Sequence, residues 1–302
     1  MRYGIVGTGA VGGYFGGLLA KAGRDVHFLL HSDYHYVRQN GLRVDSVDGD
    51  FILDNINVYD STSAMPECDV VFVAMKTTSN GMLAAMLPPL LHDNTLVILI
   101  QNGIGVEEDV QALLPGVRLA AGLAYICTTK VGPGHIWHQS NGRLSIGDYS
   151  CGDEAFMDAV VADMTDAGLR VNRVGYNEAR WKKAVWNMPF NGMTVVMNTD
   201  CAGLIDCRAT ERLIRMMMLE VVGAARACGV EGVDESYAMR MIDMTRHMPS
   251  YSSSMKADYD NGRPMEIRYL YARPIEIAAG HGFKMPMLSM LAAQLEFMDG
   301  RK

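Results

Sequence analysis

From the N-terminus to about Val174, short and nearly continuous apolar runs alternate with stretches of helical length and spacing. Arg2 to Val6, Asp25 to Leu30, Val70 to Ala74 and Thr95 to Ile100 read as strands covered on both faces, because few polar residues interrupt them. Such alternation predicts βαβ units around a parallel sheet. Leu119 to Ile126 predicts a further strand. Gly132-Pro133-Gly134 marks a turn, and His135 to Gln139, Asn141-Gly142 and Arg143 to Ile146 predict a hairpin. A helix from about Asp153 to Ala167, closed by Gly168, leads into a strand from Leu169 to Val174.

Beyond Gly175 the pattern changes period. Glu178 to Met197, Ala209 to Cys228, Ser236 to Met244 and Ile267 to Ala279 carry apolar residues three to four apart, the spacing of helices with one buried face. Gly229 is placed to end the second of them. Two domains are expected, an α/β domain over residues 1–174 and an all-helical one over residues 175–302.

The turn after the first strand is Gly7-Thr8-Gly9-Ala10-Val11-Gly12, matching G-x-G-x-x-G at the mouth of a helix. Gly7 permits the tight turn, Gly9 lets backbone approach a pyrophosphate, and Gly12 allows the helix to pack closely on the strand. This predicts a Rossmann-type dinucleotide-binding domain, with the anion drawn to the helix N-terminus. A ribose-binding Asp or Glu near the end of the second strand is the mark of NAD enzymes. His31 and Ser32 stand there instead, and Asp33 just beyond reads as a solvated loop or N-cap residue. The expected cofactor is therefore NADP (NADPH), with NAD possible.

Composition narrows the partners. With 49% hydrophobic and 20% charged residues, the chain is a globular protein rather than a disordered one. Its formal charge is -7 and no basic stripe stands out, which argues against nucleic acid and anionic membranes. No apolar run approaches the roughly 20 residues of a membrane span, and no signal peptide precedes the first strand, so a cytoplasmic location is expected. The six cysteines form no C-x-x-C pair and read as reduced thiols. The 23 methionines fall within helical patterns and read as packing. The eight histidines form no metal-binding cluster, and no metal is expected.

Lys183, Asn187 and Asn191 are spaced i, i+4, i+8 and project from one helix face. Pro189 should kink or break that helix. Hydride delivery to a ketone builds negative charge on its oxygen, so a proton donor must stand close by. A lysine whose ammonium is lowered toward about 7 to 8 by burial can serve, and Asn amides can hold carbonyl and carboxylate without adding charge. Lys76 follows a strand at the carboxyl end of the sheet, where ligands bind in such folds. Asn102-Gly103 is either part of a site or only a turn. Ser254, in the serine-rich turn after Pro249, is either a ligand or a helix N-cap. Glu266 is placed either to accept a hydrogen bond from a substrate hydroxyl or to pair with Arg263.

Taken together, the N-terminal glycines, Ala74-Met75-Lys76-Thr77, Gln101-Asn102-Gly103, the segment from Trp181 to Gly192, and Ser253-Ser254-Met255 followed by Asp258 and Glu266 resemble the ketopantoate reductase family. The resemblance implies reduction of 2-dehydropantoate to pantoate with NADPH, toward pantothenate and coenzyme A. It implies Lys183 and Glu266 as catalytic residues, and Asn187, Asn191, Ser254 and Asn102 against the substrate. Lys76, Asn102, Cys127 and His31 would join the glycine loop around the cofactor. His31 stands where NADP-dependent members usually carry Arg, while Cys201 and Tyr251 replace Asn found in some members, which leaves the 2-oxo acid open. The alternatives are reduction of another branched 2-oxo acid and a dinucleotide sensor without turnover. A helical half rich in Met and Leu is compatible with a homodimer.

Overall fold

The computed structural model describes residues 1–248 and 251–301, so Pro249, ahead of the expected serine-rich turn, lies outside them. Two compact units result, Met1–Gln101 with Val106–Tyr176, and Asn102–Gly105 with the chain from Asn177 onward.

The first unit runs β1 (Arg2–Val6), α1 (Ala10–Lys21), β2 (Asp25–Leu29), α2 (Tyr34–Asn40), β3 (Leu42–Ser46), β4 (Phe51–Leu53), β5 (Asn57–Tyr59), β6 (Val70–Val73), α3 (Leu83–Met86), β7 (Leu96–Leu99), α4 (Val106–Leu113), β8 (Arg118–Gly132), β9 (His135–Asp148), α5 (Glu154–Asp166) and β10 (Arg170–Arg173). Its sheet has the order β4-β3-β9-β8-β7-β6-β1-β2-β5, with β10 on β9. Strands β5, β2, β1, β6, β7 and β8 are mutually parallel, which is the doubly wound arrangement the glycine motif foretold. Val70 to Val73 and Leu96 to Leu99 are wholly buried, as strands covered on both faces must be. Helix α1 is apolar nearly all round, with Gly12 to Gly17 and Leu19 buried. A helix so enclosed needs no polar stripe. Close packing explains its glycines: a Cβ on Gly13 would fall 2.2 Å from Ile136 on β9.

The expected hairpin is displaced. Gly132-Pro133-Gly134 joins β8 to β9, and β9 runs unbroken through Asn141-Gly142. There the pairing slips, Tyr125 facing Arg143 while Ile126 faces Asn141, so Gly142 is the extra residue of a bulge rather than a turn. Both bulge residues have positive φ, 65° at Asn141 and 95° at Gly142. A bulge and a hairpin turn draw on the same residue types. Helix α5 starts on Asp153, whose side chain caps Phe156, and Gly168 follows its C-cap with φ 86°.

In the second unit come α6 (Tyr176–Val196), α7 (Cys201–Asp206), α8 (Arg208–Ala227), α9 (Glu235–Arg246), α10 (Ser254–Asp260), a π-helical turn at Arg268–Ala272, α11 (Arg273–Gly280) and α12 (Pro286–Asp299). The helix expected over Ile267 to Ala279 is thus a π turn followed by an α-helix. Val185, Met188 and Phe190 of α6 are fully buried among Met217, Met218 and Leu288, so methionine fills this core. Glu220 on α8 accepts hydrogen bonds from the backbone N–H groups of Met287 and Leu288 at 3.1 and 2.8 Å, closing the start of α12. Pro189 does not end α6, which continues for another two turns.

Candidate active site

The glycine loop is built by the fold and open where a ligand needs it. Gly7 has φ 99°, and a Cβ there would lie 2.5 Å from the Met75 nitrogen. At Gly12 a Cβ would lie 2.3 Å from the Gly7 carbonyl oxygen. Gly9 is the N-cap of α1, and a Cβ there would meet nothing within 4 Å. The open space over Gly9 adjoins the first N–H groups of α1, which have no partner within the helix and carry its positive dipole end. These residues fit the pyrophosphate of a dinucleotide. Thr8 is buried and donates its hydroxyl to the Leu29 carbonyl at 2.8 Å, tying the loop to the end of β2. Ala10 and Val11 form the first turn of α1.

Past β2, His31 and Ser32 are exposed. Asp33 departs from the solvated residue expected. It is buried at the N-cap position of α2, yet it makes no capping bond. Its carboxylate accepts the Gly134 N–H at 3.0 Å and pairs with Lys130 at 2.6 Å. The first carboxylate that follows β2 in the chain is therefore committed to the β8–β9 turn. Lys76 is exposed at the start of a 3-10 turn that follows β6. Cys127 lies half-buried on β8, 3.5 Å from the Gln139 amide oxygen, and burial pushes its thiol up. Asn102 belongs by its contacts to the second unit. Next to it Gly103 has φ 110°, and a Cβ there would lie 2.4 Å from the Tyr269 carbonyl oxygen, so this turn is also a close approach.

In the second unit, Lys183 borders a cavity lined by Gly103, Arg180, Asn187, Tyr269 and Pro274. Burial lowers its ammonium from the ordinary lysine range to about 7; Arg180 acts in the same direction and Glu266 opposes it. Lys183 as a whole residue is half-buried. Glu266 is buried just ahead of the π turn, and Arg263, its expected alternative partner, pairs with Asp258 at 2.9 Å. Asn187 and Asn191 are both buried, and Asn191 accepts the Met255 N–H at 3.4 Å.

The N-cap of α10 is Ser253, not Ser254. Its hydroxyl accepts the Lys256 N–H at 3.1 Å and meets the Thr194 hydroxyl at 2.7 Å. Ser254 is thereby left half-buried as the first residue of α10. Cys201 and Tyr251, the two departures at Asn positions, are neighbours: the Cys201 N–H donates to the Tyr251 carbonyl at 3.0 Å. Burial pushes the Cys201 thiol up to about 12, so it is a neutral packing group.

Arg180 and Tyr269 line the cavity without having been singled out from the sequence. Arg180 sits one turn before Lys183, a spacing that was available. Tyr269 reaches the cavity through the π turn, which periodicity does not reveal. Among the described residues, no group of His, Cys, Asp or Glu is arranged to hold a metal ion, and no helix is long and apolar enough to cross a membrane.

Comparison with known proteins finds matches along nearly the whole chain. The family described as ketopantoate reductase PanE/ApbA matches residues 3–150, and its C-terminal counterpart matches residues 176–299. A 2-dehydropantoate 2-reductase of Nostoc sp. is 42% identical, over 99% of this chain and 96% of that protein. Among solved structures, 2-dehydropantoate 2-reductase from Geobacter metallireducens superposes with a TM-score of 0.95 at 34% identity, covering 98% of this chain and 99% of that one. The enzyme of the same description from Methylococcus capsulatus gives 0.91 at 30% identity, covering 100% and 97%.

Proposed function

Because the chain belongs to the ketopantoate reductase family, we propose that it reduces 2-dehydropantoate to pantoate with NADPH, in the formation of pantothenate and coenzyme A. The observation that carries this reading is Lys183, a lysine lowered to about 7 on the helix face that also bears two buried amides.

Bound NADPH supplies the hydride. Gly7, Thr8, Gly9, Ala10, Val11 and Gly12 would hold its pyrophosphate, and His31 would meet the 2′-phosphate. Lys76, Asn102 and the backbone at Cys127 would complete the cofactor contacts. Asn187, Asn191, Asn102 and Ser254 hold the carboxylate and carbonyl of the 2-oxo acid. As negative charge grows on the carbonyl oxygen, Lys183 Nζ donates the proton, and Glu266 accepts a hydrogen bond from the hydroxyl that forms. The substrate is a small molecule met in the cytoplasm. The Met- and Leu-rich helical unit is a candidate for self-association as a homodimer.

The test is steady-state oxidation of NADPH and NADH over a panel of 2-oxo acids. Ketopantoate should give the highest kcat/KM, and a panel in which it is not turned over would overturn the reading. Another branched 2-oxo acid leading the panel would favour the second reading, for which the adjacent Cys201 and Tyr251 speak.

Cofactor choice follows from the end of β2. With Asp33 held by Gly134 and Lys130, and His31 exposed, NADPH should exceed NADH in kcat/KM by roughly tenfold, about 1.4 kcal/mol. His31→Asp, which restores a carboxylate there, should narrow or reverse that ratio. Equal use of both cofactors by the wild type would remove His31 from the account.

Reduction needs the ammonium form of Lys183. Its kcat/KM should therefore fall about tenfold per pH unit above about 7, while pantoate oxidation, which needs the neutral amine, should rise through the same pH. Reduction that stays level to pH 9 would deny Lys183 the role of proton donor.

A further inference from the structure

Between its two site amides, helix α6 is held from outside. Pro189 has no N–H to offer the Val185 carbonyl, so one rung of the ladder is missing there. Beside it, the Tyr271 hydroxyl, from another element, donates to the Met188 carbonyl at 2.6 Å. A side chain bonded to a helix carbonyl next to a proline acts where a helix bends most readily.

The surroundings are fitted to it. Tyr271 is fully buried, and burial holds its phenol well above the ordinary tyrosine range, so its proton stays in place to be donated. A Cβ on Gly192 would lie 2.6 Å from the Tyr271 oxygen, so glycine is what admits the hydroxyl. Tyr271 arrives on the π turn Arg268–Ala272, just after Glu266. Such turns are rare and gather at functional sites.

The Met188 carbonyl lies between two parts of α6 with different attachments. The first part carries Lys183 and Asn187. The second carries Asn191, bonded to the Met255 N–H, and Thr194, whose hydroxyl meets Ser253 at 2.7 Å beside Ser254. We propose that Tyr271 is a positioning residue, whose hydroxyl, bonded to Met188 and packed on Gly192, sets the Lys183–Asn187 turn against the Asn191–Ser254 side of the 2-oxo acid pocket. The inference rests on the reading that these side chains hold that acid.

Tyr271→Phe keeps the ring and removes only the hydroxyl. At a temperature where both proteins are folded, KM for ketopantoate should rise about tenfold and kcat should fall severalfold, while the Kd for NADPH stays within twofold of wild type. A merely structural hydroxyl would lower the thermal midpoint and leave those constants unchanged, and that result would overturn the proposal. Wild-type turnover in the same assay separates the two readings: an inactive wild type refutes the substrate, not the geometry. Should the variant not fold, a crystal structure of the wild-type protein decides. Tyr271 Oη within 3.0 Å of Met188 O supports the proposal, and a phenol with no bond to that carbonyl overturns it.

Discussion

Lys183→Ala should lower kcat for ketopantoate reduction by at least about 100-fold, about 2.7 kcal/mol of transition-state stabilisation and the low end for loss of a general acid. The Kd for NADPH should change little, since the glycine loop of the other unit is untouched. The same substitution should hold or raise thermal stability near pH 7. The folded protein holds this ammonium at about 7, far below the usual lysine value, so between those two pH values the unfolded chain binds more protons. Stability therefore rises with pH across that window, and at its lower end the buried amine opposes folding. Lys183→Arg should not restore turnover, because a guanidinium does not release its proton near neutrality. Stopped-flow measurement of NADPH oxidation, paired with a thermal melt, separates the two effects. Near-normal kcat in the Ala variant would remove Lys183 from the mechanism, whatever the melt shows.

The helix face behind that prediction was legible in the chain for a simple reason. Lys183, Asn187 and Asn191 lie on one helix, which Pro189 does not end, and i, i+4 spacing sets them along one face of it. The glycine loop was legible too, because its demands on the backbone, a positive φ at Gly7 and a close approach at Gly12, are met only by glycine. What escaped were features decided by partners distant in the chain. Asp33 read as a solvated residue because the turn that captures it, at Lys130 and Gly134, lies about a hundred residues away. Asn141-Gly142 read as a hairpin turn because bulges use the same residues. Strands β4 and β5, three residues each at the two ends of the sheet order, are too short to show a period. Ser253 takes the capping role that was one of the two alternatives for Ser254, a shift of one residue that only the bond to Lys256 reveals. The π turn that brings Tyr269 to the cavity breaks the helical period by one residue, just where the site is assembled.

Gly9→Asp should separate folding from cofactor binding more sharply than any other change in the first unit. Gly9 has φ -84° and ψ -156°, an extended conformation open to any residue, and a Cβ there meets nothing within 4 Å. Asp is moreover a better N-cap than Gly by a few tenths of a kcal/mol, and it restricts the unfolded chain. The variant should therefore melt at or slightly above the wild-type temperature. The open space over Gly9 is, however, where the proposed cofactor's pyrophosphate would lie. A carboxylate there fills the space, competes for the first N–H groups of α1 and faces the phosphates with like charge. At about 4 Å and an effective dielectric of about 20, that repulsion alone is about 4 kcal/mol. Discounted for solvent screening, it still predicts a Kd for NADPH weakened at least about 100-fold, with kcat/KM falling in step. Calorimetric titration of NADPH against both proteins, beside their melts, tests both halves. A G9D protein that binds NADPH within about threefold of wild type would place the pyrophosphate elsewhere. One that fails to fold would show that the space over Gly9 is needed by the chain itself.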